Sequence, residues 1–173
     1  MRYFFSGLLL VLSCSCGNTF YVVRHAEKAK PIAGSRVMDA NNPPLTEAGK
    51  ERALALREIL SGKNIRHFYS TNTIRTISTV QPLKEQSLQN TILLYSSKAD
   101  SMDMFIRQLK AIKKGNVLVV GHSNTVDDIA NKLCGSTVIP GDLKDNEYDN
   151  LFIIKRKGEK YQFKREKYGK PAE

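Results

Sequence analysis

Two segments of the chain share one form, an apolar run that ends directly in a histidine. Residues 20–25 read FYVVRH, and residues 117–122 read VLVVGH. A continuous apolar run of this length predicts a strand that is buried on both faces, as in the centre of a parallel sheet. If the two strands are parallel neighbours, both imidazoles come out at the same edge of the sheet. The pattern therefore predicts a buried parallel sheet and one cleft that receives His25 and His122.

The remaining segments alternate between strand-like and helix-like patterns. Strands are predicted over Thr19–Arg24, Ile65–Ser70, 91–95 and 117–121, and 29–44 reads as a long loop. The first predicted helix runs from Thr46 as N-cap to Gly62, and a second begins at about Thr73, with Pro82 expected to kink or shorten it. A third runs from Asp100 as a cap to Lys114, and a fourth spans 125–133. Residues 151–155 and 161–164 indicate a hairpin. The alternation predicts an α/β fold, a three-layer α/β/α sandwich with a mainly parallel central sheet and a C-terminal hairpin.

Length and charge limit what such a domain can be. The chain has 173 residues, which suits one domain, and a formal net charge of +10. A charge of this size raises the question of nucleic acid or anionic lipid as a partner. The basic stretch 155–170 carries no nucleic-acid motif, so no nucleic-acid partner is expected. Its charges alternate with apolar residues, which favours a solvated strand face and leaves a role at a membrane surface or toward anionic substrates open.

The first 16 residues have the order of a secretory signal peptide. Arg2 precedes an apolar run over 3–12, and small residues follow. Ser13-Cys14 and Ser15-Cys16 both resemble the lipoprotein box whose cysteine is lipidated, with plain secretion as the alternative. We expect a processed segment 1–16, a domain over 17–173, secretion across the inner membrane, and a lipid-anchored protein in the cell envelope, at the periplasm or outer membrane.

The third cysteine and the third histidine are expected to be structural. Cys134 lies at an apolar helix end and reads as a small core residue, and His67 lies inside a strand pattern. Three histidines without paired cysteines make a structural zinc site improbable, so no metal and no cofactor are expected.

Two arginines lie beside the predicted cleft. Arg24 precedes His25, and Arg75 follows the second strand near a helix start, where free backbone N–H groups attract anions. Guanidinium groups bind phosphate in bidentate fashion, and nearby cations keep an imidazole neutral. Ser123 and Asn124 follow His122 at another helix start. An anion such as phosphate is therefore the favoured ligand, although each strand-end histidine could also be a structural residue.

Four motifs in order resemble the histidine phosphatase superfamily, also called phosphoglycerate-mutase-like proteins. They are FYVVRHAEK at 20–28, PLTEAG at 44–49, STNTIRT at 70–76 and VLVVGHSNT at 117–125. The resemblance implies that His25 is a nucleophile that forms a phosphohistidine, without a metal ion. It also implies that Arg24, Arg75 and His122 hold the phosphoryl group, with Ser123 and Asn124 beside it.

The resemblance leaves the proton donor and the substrate open. Asp100 is the first candidate for the general acid, with Asp103 next, and Glu27 is the alternative acid and a candidate substrate contact. Glu27 could instead be an ion-pair partner of Lys28 or Arg36. The expected activity is that of a histidine acid phosphatase-type phosphoric monoester hydrolase acting on small phosphomonoesters. The alternatives are a phosphohistidine-protein phosphatase and a non-catalytic, lipid-anchored module that binds a phosphorylated ligand.

Overall fold

A computed structural model describes residues 17–30, 39–88 and 91–172. Six strands and four helices follow one another in the predicted order. They are β1 (Thr19–Arg24), α1 (Glu47–Leu60), β2 (Ile65–Ser70), α2 (Ile74–Glu85), β3 (Ile92–Leu94), α3 (Ala99–Ala111), β4 (Asn116–Gly121), α4 (Val126–Cys134), β5 (Asn150–Lys157) and β6 (Lys160–Lys167).

The strands form a single sheet in the order β3-β2-β4-β1-β5-β6. The first four are parallel to one another, and β5 and β6 form the antiparallel hairpin at one side. In the pairing of β1 with β4, Arg24 lies opposite Gly121. The residue that follows each of them is a histidine, so the register alone brings the two histidines to the same edge.

Helices cover both faces of the sheet and bury two apolar clusters. On one face α3 and α4 pack against the sheet through residues such as Phe105, Leu109, Ile129 and Leu133. On the other face α1 and α2 contribute Leu56, Leu60, Val80 and Leu83. Burial of these side chains is the main favourable term that fixes the layers. The predicted three-layer α/β/α sandwich is therefore confirmed.

The start and end of α3 differ from the sequence prediction. Lys98 occupies the N-cap position and makes no side-chain capping bond, and Asp100 lies in the first turn. There its negative charge still interacts favourably with the helix dipole. The helix ends at Ala111 rather than at Lys114, because Ile112 is extended and its carbonyl accepts a hydrogen bond from Asn18 Nδ2.

Three other boundaries shift. Helix α2 is not shortened by Pro82, since buried Val80 and Leu83 hold its inner face on the sheet and it continues to Glu85. Strand β3 is shorter than predicted, and the hairpin strands are longer, because pairing of β5 with β6 extends from Asn150–Lys167 to Lys157–Lys160.

Some predictions fall outside the described residues. These are the signal segment with Cys14 and Cys16, and residues 31–38 of the predicted long loop together with Arg36. The ends of that loop are held by a hydrogen bond from Ala29 N to Pro44 O, 2.8 Å. Among the helices of the described ranges, none has the length and apolar character needed to cross a membrane.

Candidate active site

The two strand-end histidines lie against each other. The ring centroids of His25 and His122 are 5.5 Å apart, and the rings meet edge to face at an interplanar angle of 67°. The backbone N–H of His25 donates to Gly121 O at 2.9 Å, which continues the β1–β4 pairing by one bond. Gly121 is needed here, since a Cβ atom would lie 2.7 Å from the hydroxyl oxygen of Tyr95. The predicted meeting of the two imidazoles therefore occurs.

His25 is buried and oriented by its own loop. Its side chain is 3% exposed, and Nδ1 lies 2.7 Å from the carbonyl oxygen of Ala26. A carbonyl can only accept, so Nδ1 carries the proton and Nε2 carries the lone pair. Burial is the largest of the causes that lower the pKa of His25 to about 3, and the charges of Arg24, His122 and Arg75 also contribute. His25 is thus a neutral imidazole with a nucleophilic Nε2 at neutral pH.

His122 is held by a hydroxyl group from the residue that follows β2. Its Nε2 lies 2.9 Å from Thr71 Oγ1, and Thr71 Oγ1 lies 3.0 Å from Thr76 Oγ1. Burial is the largest cause that lowers the pKa of His122 to about 4, followed by the charges of Arg75 and Arg24. Both imidazoles are therefore uncharged over most of the pH range in which the fold is expected to exist.

Arg24 is fixed by backbone carbonyls and an aromatic ring. Its Nη1 donates to the carbonyl oxygens of Lys144 and Asp145 at 2.8 and 3.1 Å. The guanidinium carbon lies 4.0 Å from the ring centroid of Tyr148, which also faces His25 at 6.0 Å. Burial lowers the pKa of Arg24 from its usual value. The loop 140–149 thus orients a buried cation beside His25.

Both arginines keep a buried N–H group without an acceptor. Nε of Arg24 and Nε of Arg75 are buried, and neither makes a hydrogen bond to any described residue. Among the described residues, the guanidinium of Arg75 makes one long hydrogen bond, from Nη1 to Asn41 O at 3.4 Å. An unsatisfied buried donor costs free energy, and a guanidinium pairs best with a planar or phosphoryl anion. The two guanidiniums therefore offer unsatisfied N–H donors to an anionic ligand.

Thr79 ties the arginine helix to the histidine loop. Its hydroxyl donates to Arg75 O at 2.7 Å and accepts from Ala26 N at 3.0 Å. Because Ala26 O in turn orients His25, the loop after β1 and the first turn of α2 are joined through one side chain. This contact fastens the loop that carries His25 to the helix that carries Arg75.

The PLTEAG segment forms the support under that loop. Thr46 caps α1, accepting from Gly49 N at 3.0 Å, and its own N–H donates to Glu27 O at 2.9 Å. A Cβ atom at Gly49 would collide with the same carbonyl oxygen. The motif therefore lets α1 approach the backbone of residues 25–27 closely.

Glu27 makes a buried ion pair with Arg52. The carboxylate accepts from Nη2 at 2.6 Å and from Nε at 2.8 and 2.9 Å. Arg52 is 5% exposed and donates its remaining nitrogen to the carbonyl oxygens of Tyr168 and Lys170. The sequence suggested Lys28 or Arg36 as the partner. The structure instead uses a cation from α1, which fastens the C-terminal segment to the site.

The other predicted site residues lie at varying positions. Ser123 and Asn124 form the turn after His122, and Ser123 O accepts from Leu143 N at 2.9 Å. Asp100 is exposed and accepts from Ser101 Oγ at 2.9 Å. Asp103 pairs with Lys132 on the surface. Neither aspartate contacts a histidine, so the structure leaves the general acid unassigned.

Three residues of the site were not recognised from the sequence. Thr71 lies in the quoted STNTIRT motif, but no signal in one sequence distinguishes a hydroxyl that reaches an imidazole. Tyr148 contacts Arg24 across 124 positions of the chain, and Arg52 contacts Glu27 across 25 positions. Such contacts have no local pattern and become visible only in the fold.

The comparisons with known proteins agree with the motifs. Residues 20–94 match the model of the histidine phosphatase superfamily, branch 1. No curated protein sequence matches the chain significantly. Solved structures share the fold at low identity. One is the protein histidine phosphatase SixA complexed with tungstate, at a TM-score of 0.68 and 16% identity, covering 86% of this chain and 96% of that chain.

Two further structures extend the comparison. A putative alpha-ribazole-5'-P phosphatase from Escherichia coli K-12 has a TM-score of 0.66 and 16% identity, covering 90% of this chain and 97% of that chain. A phosphoserine phosphatase variant from Entamoeba histolytica in complex with phosphoserine has a TM-score of 0.60 and 11% identity, covering 84% and 94%. At these identities the likeness concerns the fold. Together, the family match over residues 20–94, the motif order and the fold confirm the resemblance to the histidine phosphatase superfamily.

Proposed function

We propose that the protein is a phosphatase that hydrolyses phosphomonoesters through a phosphohistidine on His25 and needs no metal ion. One observation carries the proposal. A neutral, buried imidazole with its lone pair on Nε2 lies beside two guanidiniums whose Nε–H groups are buried and have no acceptor among the described residues. A phosphoryl group supplies the missing acceptors and the electrophile at the same place.

The first step transfers the phosphoryl group to the protein. Nε2 of His25 attacks phosphorus, an N–P bond forms, and the bond from phosphorus to the leaving oxygen breaks. Arg24 and Arg75 neutralise the charge on the phosphoryl oxygens during the transfer. His122 donates a hydrogen bond to the same oxygens through the ring nitrogen that Thr71 does not contact.

The second step releases phosphate. Water attacks phosphorus, the N–P bond breaks, and its electron pair returns to Nε2. The water proton leaves with the inorganic phosphate or with solvent, so the imidazole is again neutral. The hydrogen bond from Nδ1 to Ala26 O keeps the ring in one orientation through both steps.

The leaving oxygen of the first step needs a proton. Asp100 remains our candidate for the donor, and its position in the first turn of α3 puts it on a helix that follows the carboxyl end of β3. Glu27 is a poor donor in this arrangement, since protonating it would break its three hydrogen bonds with Arg52.

Phosphohistidine is a second candidate substrate. A ring nitrogen that leaves from phosphorus depends less on an acid than an alkoxide does, and neither histidine contacts a carboxylate within the described ranges. The similar fold of SixA, a protein histidine phosphatase, supports the same alternative. The expected secretion of this chain argues against it, because phosphorelay proteins are cytosolic.

Turnover of an aryl phosphate in the presence of a chelator tests the function. We expect His25→Ala to lose activity by at least ~10³-fold, in line with the loss of a nucleophile. His67→Ala is the matched control, since His67 lies in β2 with Nε2 on Lys114 O and should leave turnover unchanged. Protein denatured in alkaline detergent, which preserves the N–P bond, should carry label from a ³²P substrate only when His25 is present. Equal turnover by the wild type and His25→Ala would overturn the assignment, and phosphate binding without turnover would favour the non-catalytic module.

The dependence on the leaving group separates the two substrate classes. If Asp100 donates the proton, then Asp100→Asn should slow phenyl phosphate far more than p-nitrophenyl phosphate, whose leaving group needs no acid. A phosphoramidate turned over faster than either ester by the wild type would favour phosphohistidine.

We also propose that the protein is secreted and lipid-anchored through Cys14 or Cys16. The support is the sequence order of a charged residue, an apolar run and a small residue before cysteine. A Cys14→Ser, Cys16→Ser double variant produced in a bacterial host should leave the membrane fraction. If it remains there as the wild type does, lipidation at these cysteines is wrong.

A further inference from the structure

The edge of the sheet opposite the histidines is strongly basic. The segments that meet there are 62–66 before β2, 110–116 before β4, and 155–160 at the turn of the hairpin. We call their basic residues the basic edge: Lys63, Arg66, Lys110, Lys113, Lys114, Lys155, Arg156, Lys157 and Lys160.

Hydrogen bonds show that these segments form one continuous surface. Asn116 Nδ2 donates to Lys63 O at 2.6 Å, and Arg156 Nη1 donates to Lys110 O at 2.8 Å. His67 Nε2 lies 3.0 Å from Lys114 O. The backbone therefore holds the nine side chains side by side along one end of the molecule.

Few acidic residues lie near this edge, although the charges of Lys63 and Lys155, after the hydrogen bond from Lys164, help to lower the pKa of Glu166 in β6. Glu159 is the single acidic residue in the three segments, and its 3.9 Å pair with Arg156 is the only ion pair that the edge makes with described residues. Several lysines elsewhere are paired closely, as in Lys50–Glu47 and Lys170–Glu51, both at 2.7 Å. Much of the excess positive charge is therefore concentrated at one end, where all the cations of the edge except Lys110 and Arg156 are exposed to solvent.

The chain enters the fold at the same end. Gly17, the first described residue, lies so close to Arg156 that a Cβ atom would collide with the carbonyl oxygen of Arg156. The next residue, Asn18, accepts a hydrogen bond from Arg156 N at 2.9 Å. The segment 1–16, with its predicted apolar run and lipidation cysteines, thus joins the fold within the basic edge.

We propose that the basic edge docks on the surface of an anionic lipid bilayer. Each lysine near an anionic bilayer strengthens binding about fivefold, and a single lipid chain anchors stably only with a second signal such as a basic patch. Nucleic acid would be attracted by the same charge, but the attachment point of the predicted membrane segment favours lipid.

Docking at this edge also sets the direction of the candidate active site. His25 follows the end of β1, and Gly17 precedes its start, so the strand separates them by about 20 Å at roughly 3.3 Å per residue. The cleft then faces away from the bilayer and takes substrates from the aqueous phase. The docking does not depend on the proposed phosphatase activity, because binding is measured without a substrate.

Flotation of the full chain with lipid vesicles tests the proposal. One set of vesicles contains phosphatidylcholine alone, and the other contains phosphatidylcholine with phosphatidylglycerol. The apolar N-terminal segment contributes to both, so the ratio of the two partition coefficients isolates the contribution of charge. We expect a ratio well above one at low salt that falls as salt is added.

Charge variants locate the binding surface. Lys157→Gln with Lys160→Gln should lower the ratio about 25-fold, from about fivefold for each lysine. Lys113→Gln with Lys114→Gln should do the same from another segment, so a folding defect in the hairpin cannot account for both. The control, Lys50→Gln with Lys98→Gln, removes the same charge from exposed sites away from this edge and should change the ratio much less.

Three results would overturn the proposal. The first is a ratio near one for the wild type. The second is an equal loss in the edge variants and the control variant, which would indicate net charge rather than a surface. The third is binding of a labelled DNA duplex at moderate salt without a preference for anionic vesicles, which would assign the edge to nucleic acid.

Discussion

Nε2 of His122 and Oγ1 of Thr71 lie 2.9 Å apart, so that the end of β4 is joined to the end of β2 by a side-chain hydrogen bond. The register places the two histidines together, but this hydroxyl decides how the second ring is turned. Thr71 also contacts Thr76 in the first turn of α2. The orientation of His122 is thereby coupled to the helix that carries Arg75.

Thr71 is expected to act as a positioning residue. Thr71→Val keeps the shape but removes the hydroxyl, so His122 loses the partner that holds its ring orientation. We expect kcat for an aryl phosphate to fall about tenfold, which corresponds to one hydrogen bond of roughly 1.4 kcal/mol, with little change in KM. Thr71→Ser should restore most of the rate. A structural role alone would lower the thermal stability of the valine variant and leave kcat of the folded protein unchanged.

The ion pair of Glu27 with Arg52 should matter for stability. Glu27→Gln leaves a 5% exposed guanidinium without its counter-charge, and we expect the free energy of unfolding to fall by about 3 kcal/mol. Glu27→Gln with Arg52→Met should recover part of the loss. Glu51→Gln is the control, because its pair with Lys170 is exposed and screened by solvent and should change the free energy of unfolding little. Urea unfolding measures all three variants.

The same Glu27→Gln variant tests the alternative general acid. If Glu27 is only structural, kcat for p-nitrophenyl phosphate and for phenyl phosphate should change by the same factor. A larger loss with phenyl phosphate, the poorer leaving group, would show that Glu27 donates the proton and that the ion pair opens during catalysis.

Gly49 has no space for even a methyl group. Gly49→Ala places Cβ against Glu27 O, and we expect overpacking to cost about 1–3 kcal/mol, more than the ~1 kcal/mol that alanine contributes as a better helix former. Activity should also fall, since the displaced backbone carries His25. Lys50→Ala, exposed in the same helix, should change stability by less than about 0.5 kcal/mol. A Gly49→Ala protein as stable and active as the wild type would contradict the role assigned to this contact.

The pH dependence follows from the lowered pKa of the histidines. Burial brings the pKa of His25 from 6.5 to about 3 and that of His122 to about 4. Between these values and 6.5 the unfolded chain binds more protons than the folded chain, so stability rises with pH in this window. The stabilisation from neutral histidines is complete above about 6.5 and is lost as the pH falls toward 4 and then 3.

The pH dependence of activity should follow the pKa values that His25 and His122 have in the folded protein. We expect kcat/KM to show no loss from histidine protonation between pH 7 and about 5, and the free energy of unfolding to decline over the same range. NMR titration of the ring signals, assigned with His25→Ala, checks the values directly. A His25 signal that titrates near 6.5 would show that the ring is not buried as described.

Much of the architecture follows from the sequence alone. The runs FYVVRH and VLVVGH can be buried only in the centre of a sheet, and the helices between them require parallel connections, so both histidines had to reach one edge. The helix starts at Thr46 and Thr73 are local, since each side chain caps the N–H three residues ahead. The ordered motifs then pointed to phosphate.

Other features were decided by tertiary contacts. Asp100 was predicted as a helix cap, but α3 begins at Ala99, because helix ends depend on what the last turn packs against more than on cap preference. Pro82 remains inside α2 because neighbouring side chains are buried.

The environment of the histidines is determined by contacts between segments that are distant in the sequence. Three residues from distant segments act on the site. Thr71 orients the ring of His122, Tyr148 contacts the guanidinium of Arg24, and Arg52 supports residues 25–27 through Glu27. The basic edge likewise combines three separate turns. The sequence determined which chemical groups are present and which strand ends carry them. The tertiary structure decided which of these groups are buried, paired or left without a partner, because burial and distance, rather than residue identity, set the free energy of each charge.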